Sequence, residues 1–505
     1  MVESFLPIIL FIVPVVGILF IFIFRNVPIK YIRELITLLF QVITLIIGIT
    51  ITSEVFQGKT LTAANKAFFV DGLSALMIVL VDVSIILITI YSIKYTLKEK
   101  ELGIVSDKRI TLYYSLILLF TGTMMWTVTT NHMVMLYVAV EGTTLATALL
   151  VAFYRTRASL EAGYKYVLLV VVGITLALFG IVLIFSAAVP HLPAGSHALL
   201  LTEVGRISKL IPSNIALLAV VFMIAGFGTK AGLVPFHAWL PDAHAEAPTP
   251  ISALLSGLII KVGAYALART VTIFTAQYHA IIVFIAIMAS AGMLIGIFLA
   301  WAQDDLKRLL AFHSVSQIAY VFEGLGLGTY MGIYGGLYHL VNHTFFKGLL
   351  FLSAGCIMYA TRGKRKISEL GGLGSKMPIT AFCFFVGALA MGGVPPFNGF
   401  MSKFTIFLAA GQQQLYWAAA ISIFTGFLTL GCMVHAGYLI FWKKPAKQVA
   451  SSNNPEEIRE VPFLMWGSMI VLAGLCLLLG IYPQIVHPFL DRATRAILTI
   501  WGAGV

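Results

Sequence analysis

Apolar runs long enough to cross a lipid bilayer recur along the whole chain, and short polar segments separate them. A transmembrane helix needs about 20 mostly apolar residues. By that measure the pattern predicts fourteen spans, at residues 4–24, 31–53, 71–93, 111–129, 132–154, 163–187, 214–238, 248–273, 279–301, 308–326, 329–360, 378–410, 415–441 and 462–482. Residues 485–505 contain several charged side chains and predict a short interfacial helix, with a fifteenth span as the alternative. The expected fold class is an all-α membrane protein.

The composition excludes a soluble protein. Of the 505 residues, 60% are hydrophobic and 11% are charged, whereas globular domains are roughly half apolar and a quarter charged. The four cysteines lie far apart inside apolar runs, so the sequence predicts neither disulfides nor a zinc or cluster site. The glycine-rich signatures of ATP and dinucleotide binding are also missing. We therefore expect no cofactor in this chain.

The distribution of basic residues predicts an orientation. The net charge is +12, from 33 Lys and Arg against 21 Asp and Glu. Twenty-two of the basic residues fall in loops after odd-numbered spans or at the neighbouring span ends, and seven fall in or next to the other loops and in the tail. Because loops rich in Lys and Arg stay in the cytoplasm, both termini should lie outside a plasma (inner) membrane. The excess charge then reflects topology, and no nucleic-acid partner is expected.

The four remaining basic residues are lysines inside predicted spans: Lys230, Lys261, Lys347 and Lys403. A charge at the centre of a spanning helix costs roughly 2.5–3.5 kcal/mol on insertion scales and usually has a function. Lysine releases its proton readily when it is desolvated, whereas arginine stays charged. No arginine is among the four, so we interpret these lysines as groups that bind and release protons.

Two proline-containing segments interrupt apolar spans in the same way. Residues 232–239 and 393–400 share Gly, Pro, Phe and a final aromatic residue at the same spacing. Paired broken helices in two halves of a chain point to a transport site built on an internal repeat. The pattern predicts an inverted five-helix repeat, with spans 4–8 and 9–13 as its copies and helices 7 and 12 discontinuous; two independent proline kinks are the alternative. The predicted units are 1–110, 111–275, 276–442 and 443–505.

Glu141 lies near the middle of span 5 and is the best candidate for a carboxylate partner of Lys230. A carboxylate within about 4–6 Å stabilises the charged form of a buried lysine, and its withdrawal favours the neutral form. Movement of Glu141 could thus load or release a proton. A static structural ion pair is the alternative interpretation.

Span 11 places His339, His343 and Lys347 on one helix face, because they are spaced four residues apart. Histidine titrates near neutral pH and can relay protons. Polar packing without a relay role is one alternative, and a metal-binding histidine pair is another, although no third ligand is evident. His313 in span 10 would extend the relay, or is simply a core histidine.

Further polar residues are candidates of lower weight. His237 and His244 follow the first break and either line the cytoplasmic entrance for protons or belong to the cap of the next helix. Asp82 and Glu323 are weaker candidates for buried carboxylates, and Asp71 is expected to start a helix.

Three motifs resemble one family of membrane proteins. Residues 228–250 resemble the broken seventh helix of the antiporter-like subunits of respiratory complex I, Mrp-type Na⁺/H⁺ antiporters and group 4 membrane-bound hydrogenases. Residues 339–347 and 396–403 match the eleventh and twelfth helices of that family. Residues 140–166 look most like the F-type subunit of hydrogenase-4 and formate hydrogenlyase-like complexes. The resemblance implies fourteen helices with an inverted five-helix repeat.

The resemblance also implies roles for particular residues. Glu141 and Lys230 would form a coupling pair, Lys261 would be the central lysine, and Lys403 would lead to the exit. The expected function is a proton-translocating subunit of a redox-driven membrane complex of the hydrogenase or complex I type. Its partners would be other membrane subunits and hydrophilic redox subunits that hold Fe–S clusters and a NiFe centre. Membership of a multisubunit Na⁺/H⁺ antiporter and a stand-alone nutrient symporter are the alternatives.

Overall fold

The structure, a computed structural model, describes residues 1–27, 29, 31–193, 196–275, 277–444 and 458–500. Its strands are β1 Val2–Glu3, β2 Leu61–Ala63 and β3 Phe68–Val70. Its α-helices are α1 Leu6–Phe24, α2 Ile32–Phe56, α3 Gly72–Glu101, α4 Asp107–Thr129, α5 Met133–Val151, α6 Arg157–Ala188, α7 Leu201–Ile207, α8 Ser213–Ala231, α9 Trp239–Glu246, α10 Thr249–Leu254, α11 Ile260–Thr270, α12 Thr272–Thr275, α13 His279–Trp301, α14 Leu306–Gly326, α15 Tyr330–Ala360, α16 Pro378–Gly392, α17 Asn398–Gln412, α18 Tyr416–Phe441, α19 Phe463–Ile481 and α20 His487–Ile500.

The predicted all-α membrane fold is confirmed. Within the described ranges, twelve helices are long and apolar enough to cross a membrane. The other two predicted spans correspond to α14, which carries several charges, and to the broken pair α16–α17, whose halves have 15 residues each. The count of fourteen spans stays a prediction.

The structure also contains a small β-sheet and a short C-terminal helix, α20. β1 pairs in parallel with β2, and β2 pairs antiparallel with β3; strands of two or three residues have no periodicity to detect. α20 has 14 residues and packs against α3. At 1.5 Å per residue it measures about 21 Å, too short for a hydrocarbon core of about 30 Å. This agrees with an interfacial helix; residues 445–457 and 501–505 of the predicted unit 443–505 lie outside the described residues.

The polar ends of the helices form two distinct faces. Most of the loops with the predicted cytoplasmic basic residues meet at one end of the bundle, which we term the basic face. Ion pairs join these loops: Arg33–Asp107, Lys165–Asp242, Arg308–Asp242, Arg365–Glu246 and Arg365–Asp305. The opposite face holds the small sheet and α20, where Arg492 donates to the Phe56 carbonyl oxygen. β1 and α20 therefore share a face; which face lies outside stays a prediction.

The two predicted breaks interrupt the helices at corresponding glycines. Gly232 ends α8 with φ 74°, and Gly393 ends α16 with φ 80°; glycine adopts this left-handed conformation at little cost. Each break also contains a cis peptide bond, Val234–Pro235 and Pro395–Pro396. Corresponding helices pack in the same pairs, with α6 on α8 and α15 on α16. These correspondences support the inverted repeat, which remains a prediction together with the division into four units.

Two central helices are enclosed by the rest of the bundle. The spanning segment of α15 is wholly buried, and so is that of Thr249–Thr270, which comprises α10, a π-helical turn at Leu255–Ile259 and α11. Most other spanning helices expose an apolar side. Polar side chains on these two helices are therefore shielded from lipid. They include Lys261, His339, His343 and Lys347.

Candidate functional site

The first break holds Lys230 among hydroxyl groups. Lys230 lies in the last turn of α8 and is fully buried. Its Nζ donates to Thr144 Oγ1 at 2.8 Å and to the Tyr166 hydroxyl at 2.9 Å. The last carbonyls of a helix carry partial negative charge and favour a cation there. One of them, the Thr229 oxygen, accepts a hydrogen bond from Trp239 Nε1 at 2.8 Å. Lys230 is thus positioned without a backbone carbonyl as its partner.

Glu141 is a neighbour of Lys230 without touching it. The two side chains lie within electrostatic range, but no ion pair joins them within the described residues. Thr144 lies one turn after Glu141 on α5 and accepts the Lys230 hydrogen bond. Glu141 Oε1 is buried and has no hydrogen-bond partner in the described structure. The static ion pair considered from sequence is therefore not formed.

Lys261 lies directly after the π-helical turn. Its Nζ donates to the Ser256 carbonyl oxygen at 2.5 Å, and the Ser256 hydroxyl pairs with that of Ser314 at 2.7 Å. π-turns are often found at functional sites because they displace the helix backbone. Here the turn supplies the carbonyl that binds a fully buried lysine.

The polar face of α15 forms as predicted. The rings of His339 and His343 are nearly parallel, with centroids 6.1 Å apart. Lys347 Nζ donates to the Leu310 carbonyl oxygen at 2.6 Å, and His339 Nδ1 pairs with Ser402 Oγ at 3.0 Å. This face therefore connects α14 on one side with α17 on the other.

The second break holds Lys403 against the backbone. Lys403 lies on α17, and its Nζ reaches back to the Met391 carbonyl oxygen at the end of α16, at 2.7 Å. The same Nζ lies 4.7 Å from the centroid of the Tyr320 ring. A lysine ammonium is stabilised both by the negative end of a helix and by an aromatic face.

Several buried histidine nitrogens lack a protein partner in the part of the chain that the structure describes. They are both ring nitrogens of His244, His313 and His343, and Nε2 of His339. Buried polar groups in proteins are nearly always hydrogen-bonded, to protein or to ordered water. Rings with free nitrogens can accept and pass on protons. Metal ligation has no support, because no group of three or more His, Cys, Asp or Glu side chains in the described ranges could hold an ion.

Electrostatic range divides the predicted site residues into two groups. Glu141 is the charged neighbour of Lys230. Lys261 is in range of Lys347, and His343 is in range of Lys261, Lys347, His339 and Lys403. His313 joins this second group through Lys347 and Lys403. We term it the lysine–histidine chain: Lys261, Lys347, His343, His313, His339 and Lys403.

The two candidate entrance histidines differ in position. His244 is fully buried and in range of Lys261, Lys347 and Lys307. His237 lies within the first break and is partly exposed. Its Nδ1 is buried without a partner in the described structure. Only His244 is therefore placed next to the lysine–histidine chain.

Two basic residues that loop counting assigned to loops are in fact buried. Lys307 is 1% exposed, and its Nζ donates to the carbonyl oxygens of Ala245 and Ala247. Arg269 is 3% exposed and forms a twofold ion pair with Asp71, both contacts 2.6 Å long. The set of four buried lysines taken from the predicted spans is therefore incomplete, and the wider set of buried basic residues includes an arginine. Hydropathy places such residues at span ends and cannot show what covers them.

The weaker candidate carboxylates are also buried. Asp71 caps α3 as predicted, accepting from the backbone N–H of Leu73 and Ser74. Glu323 accepts from Ser422 Oγ at 2.6 Å. Asp82 is fully buried, and neither of its oxygens has a partner within the described residues. Glu323 lies on α14 one turn after Tyr320, the tyrosine whose ring faces Lys403.

Comparison with known proteins decides the family. The family described as "NADH:quinone oxidoreductase/Mrp antiporter, TM" matches residues 130–429. That segment includes both breaks and every residue of the lysine–histidine chain. This chain belongs to that family. It is an antiporter-like membrane subunit of the kind found in complex I, Mrp and hydrogenase-type complexes.

Curated relatives come from two kinds of complex. The hydrogenase-4 component F homolog of Methylacidiphilum infernorum is 34% identical over 370 residues, 73% of this chain and 77% of that protein. A Na⁺/H⁺ antiporter subunit of Alkalihalophilus pseudofirmus is 32% identical over 468 residues, 86% of this chain. The match covers 55% of that antiporter protein, so the chain spans about half its length.

Solved structures share the fold. A chain of the membrane-bound sulfane sulfur reductase, an archaeal respiratory membrane complex, superimposes with a TM-score of 0.86 at 24% identity, covering 99% of both chains. A chain of the Mrp complex from Dietzia sp. gives 0.82 at 22% identity, covering 99% of this chain and 100% of that one. Both of these neighbours are parts of multisubunit membrane complexes, and their likeness shows that this chain has the same fold.

Proposed function

We propose that this chain carries protons across the membrane as the antiporter-like subunit of a redox-driven complex of the hydrogenase or complex I type. The observation that carries the proposal is the lysine–histidine chain. It runs through the enclosed centre of the bundle from Lys261 to Lys403, and its lysines bind carbonyl oxygens instead of carboxylates. Carbonyls accept from a neutral amine as well as from an ammonium, so each lysine keeps its position when it gives up a proton.

In this proposal Glu141 and Lys230 supply the switch. A nearby carboxylate favours the charged lysine, and a distant one favours the neutral lysine. Moving one charge against 100 mV takes about 2.3 kcal/mol, and a change of two pKa units corresponds to about 2.7 kcal/mol. The switch is therefore of the required size. Because Lys230 is bound by Thr144 and has no direct contact with Glu141, a small helix movement would change the distance between the two charges without breaking an ion pair.

The driving reaction would come from partner subunits. Hydrophilic redox subunits with Fe–S clusters and a NiFe centre fit the likeness to a hydrogenase-4 component F homolog. The basic face would lie in the cytoplasm and both termini outside a plasma (inner) membrane, following the bias of Lys and Arg. The transported ion would be H⁺.

Exchange of Na⁺ for H⁺ is the second candidate function, favoured by the 32% identity to an antiporter protein over 86% of this chain. Everted membrane vesicles with the assembled complex separate the two. Acidification that follows the electron donor and is lost in Lys261→Met supports the redox-driven pump. Proton flux that needs Na⁺ and no donor would replace it with the antiporter, and a fully active Lys261→Met would refute both.

A further inference from the structure

A buried carboxylate and a buried lysine lie together on the basic face, beside the lysine–histidine chain. Glu99 near the end of α3 is 8% exposed, and Lys307 in the first turn of α14 is 1% exposed. The two side chains are within electrostatic range of one another. Neither residue belongs to the predicted site.

Glu99 has one oxygen bound and one free. The Tyr154 hydroxyl donates to Oε1, and Oε2 is buried with no partner in the described structure. One turn earlier on α3, the Tyr95 hydroxyl pairs with Thr249 Oγ1 at 3.3 Å, where α10 begins. Glu99 therefore lies where the ends of α3, α5 and α10 meet, and Oε2 can take a proton while Oε1 keeps its hydrogen bond.

The contacts of Lys307 suit both of its charge states. Its Nζ donates to the carbonyl oxygens of Ala245 at 3.1 Å and Ala247 at 2.5 Å, at the end of α9. A neutral amine has two N–H bonds and one lone pair, and an ammonium has three N–H bonds. The two carbonyls satisfy the neutral form, so the third position of Nζ can bind and release a proton.

His244 connects this pair to the centre of the molecule. It directly precedes Ala245, and both of its ring nitrogens are buried without a partner in the described ranges. The ring stacks on Phe351 with centroids 4.6 Å apart, and Lys347 Nζ is 5.8 Å from the same Phe351 centroid. His244 is in range of Lys307 on one side and of Lys261 and Lys347 on the other.

Charged groups of the basic face lie beside the pair. Arg365, partly exposed, donates to the Ala245 oxygen at 3.0 Å and pairs with Asp305 at 2.7 Å. Ion pairs on such a rim contribute little stability, about 0–1 kcal/mol each. This rim is therefore the candidate entry point for protons from the basic face.

We propose that Glu99 and Lys307 form the site at which the chain takes up protons from the basic face, and that His244 passes them to Lys261 or Lys347. The inference rests on the proposed function and locates its inlet, in place of the entrance at His237. Each step moves one proton. The Glu99 carboxyl gives it to the neutral Lys307 amine, the ammonium gives it to a His244 ring nitrogen, and the imidazolium gives it to a neutral lysine. A hydronium ion from the aqueous phase at the basic face then reprotonates Glu99 and becomes water.

The test uses everted vesicles that contain the whole complex, with proton uptake followed by the quenching of a pH-sensitive dye. Glu99→Gln and Lys307→Met should each lower the uptake rate per assembled complex at least fivefold. Lys307→Arg should do the same, because arginine keeps the hydrogen bonds to carbonyls but does not release its proton. The matched controls are Glu101→Gln and Lys366→Met, exposed residues of the same face; both should run at the wild-type rate.

The outcomes separate the inlet from the function. Wild-type uptake in Glu99→Gln and Lys307→Arg, with Lys261→Met inactive, overturns the inlet and leaves the proposed function intact. Wild-type uptake in Lys261→Met overturns the proposed function itself. Loss in Lys307→Met with full recovery in Lys307→Arg assigns Lys307 a structural role and rejects it as a proton carrier. If native gels find Lys307→Met unassembled, Glu99→Gln and Lys307→Arg decide.

Discussion

The two broken helices have the same local sequence pattern but different lysine environments. In the first break the lysine precedes the break, on α8, and binds two hydroxyl groups with Glu141 close by. In the second the lysine follows the break, on α17, and binds a carbonyl of α16 beside the Tyr320 ring. Both ammonium groups end near the C-terminus of the first half-helix, where the helix dipole favours a cation.

A carbonyl in the last turn before each break also meets different residues. At the first break the Thr229 oxygen accepts the indole N–H of Trp239. At the aligned position of the second break, Ala390, the oxygen is approached by the backbone at Gly399. Phe400 takes the place of Trp239 and has no N–H. The first lysine is bound by side-chain hydroxyl groups, and the second is bound by the Met391 backbone carbonyl. The proposed switching therefore belongs to the first break.

The largest effect is expected from closing the space at the second break. In Gly399→Ala the new Cβ would lie 1.8 Å from the Ala390 oxygen, so backbone must shift. The cost should reach the upper part of the roughly 1–3 kcal/mol typical of overpacked sites. It would show as lost assembly and a lower thermal midpoint of the purified complex. Gly411→Ala on the same helix meets no atom within 4 Å and should not destabilise. Equal stability of the two variants would refute the close approach.

A tenfold effect, about 1.4 kcal/mol, is expected from Glu141→Gln. The change keeps the shape of the side chain and removes the charge that acts on Lys230. Proton translocation per assembled complex should fall at least tenfold in everted vesicles, with native gels unchanged. Glu161→Gln, an exposed partner of Lys165, is the control. A Glu141→Gln complex that translocates at the wild-type rate would remove the switch from the first break.

Trp239→Phe makes the first break resemble the second. It removes the indole hydrogen bond to the Thr229 oxygen, which keeps the Gly232 backbone N–H as a donor, and a net hydrogen bond is worth about 0.5–1.5 kcal/mol. The thermal midpoint should drop measurably in the purified complex. Trp126→Phe serves as the control, because the Trp126 indole nitrogen is buried without a partner in the described residues. A drop in Trp126→Phe as large as that in Trp239→Phe would mean that indole size, and not the hydrogen bond, matters.

The smallest effect compares two tyrosines beside the two lysines. Lys230 uses the hydroxyl of Tyr166, whereas Lys403 lies over the ring of Tyr320. Tyr166→Phe should therefore slow proton translocation about threefold, since a net hydrogen bond is worth roughly 0.5–1.5 kcal/mol. Tyr320→Phe keeps the ring and should slow it less. Slower proton translocation in Tyr320→Phe than in Tyr166→Phe would contradict the different roles of the two tyrosines.

The fold was predictable because its signals are local. Each long apolar run marks a helix, and the twelve helices that could span a membrane all coincide with predicted spans. The positions of both breaks followed from Gly and Pro, whose backbone preferences are intrinsic. The small sheet was not predictable, because β1, β2 and β3 are too short to have a period. The π-turn before Lys261 also has no signature in the apolar pattern.

The candidate site was predictable in its residues but not in its connections. The spacing of His339, His343 and Lys347 alone puts them on one face, as observed. Lys307 was not predicted as a site residue because it lies at a span end. Hydropathy cannot distinguish a lysine in an exposed loop there from a lysine that other helices bury. Its burial depends on carbonyls of α9, about sixty residues earlier in the chain. Glu99 was not predicted as a site residue for the same reason.

The sequence by itself determined the membrane-spanning class, the two breaks and the identity of the buried lysines and histidines, since each depends on residue type and short-range spacing. Only the tertiary structure decided which groups those side chains meet. It separated Glu141 and Lys230 from the lysine–histidine chain, and it placed Lys403 on a carbonyl and Lys230 on hydroxyls. The physical reason is that a buried amine takes its partner from any neighbouring helix within a few ångströms, and Lys230 reaches Thr144 across 86 residues of chain.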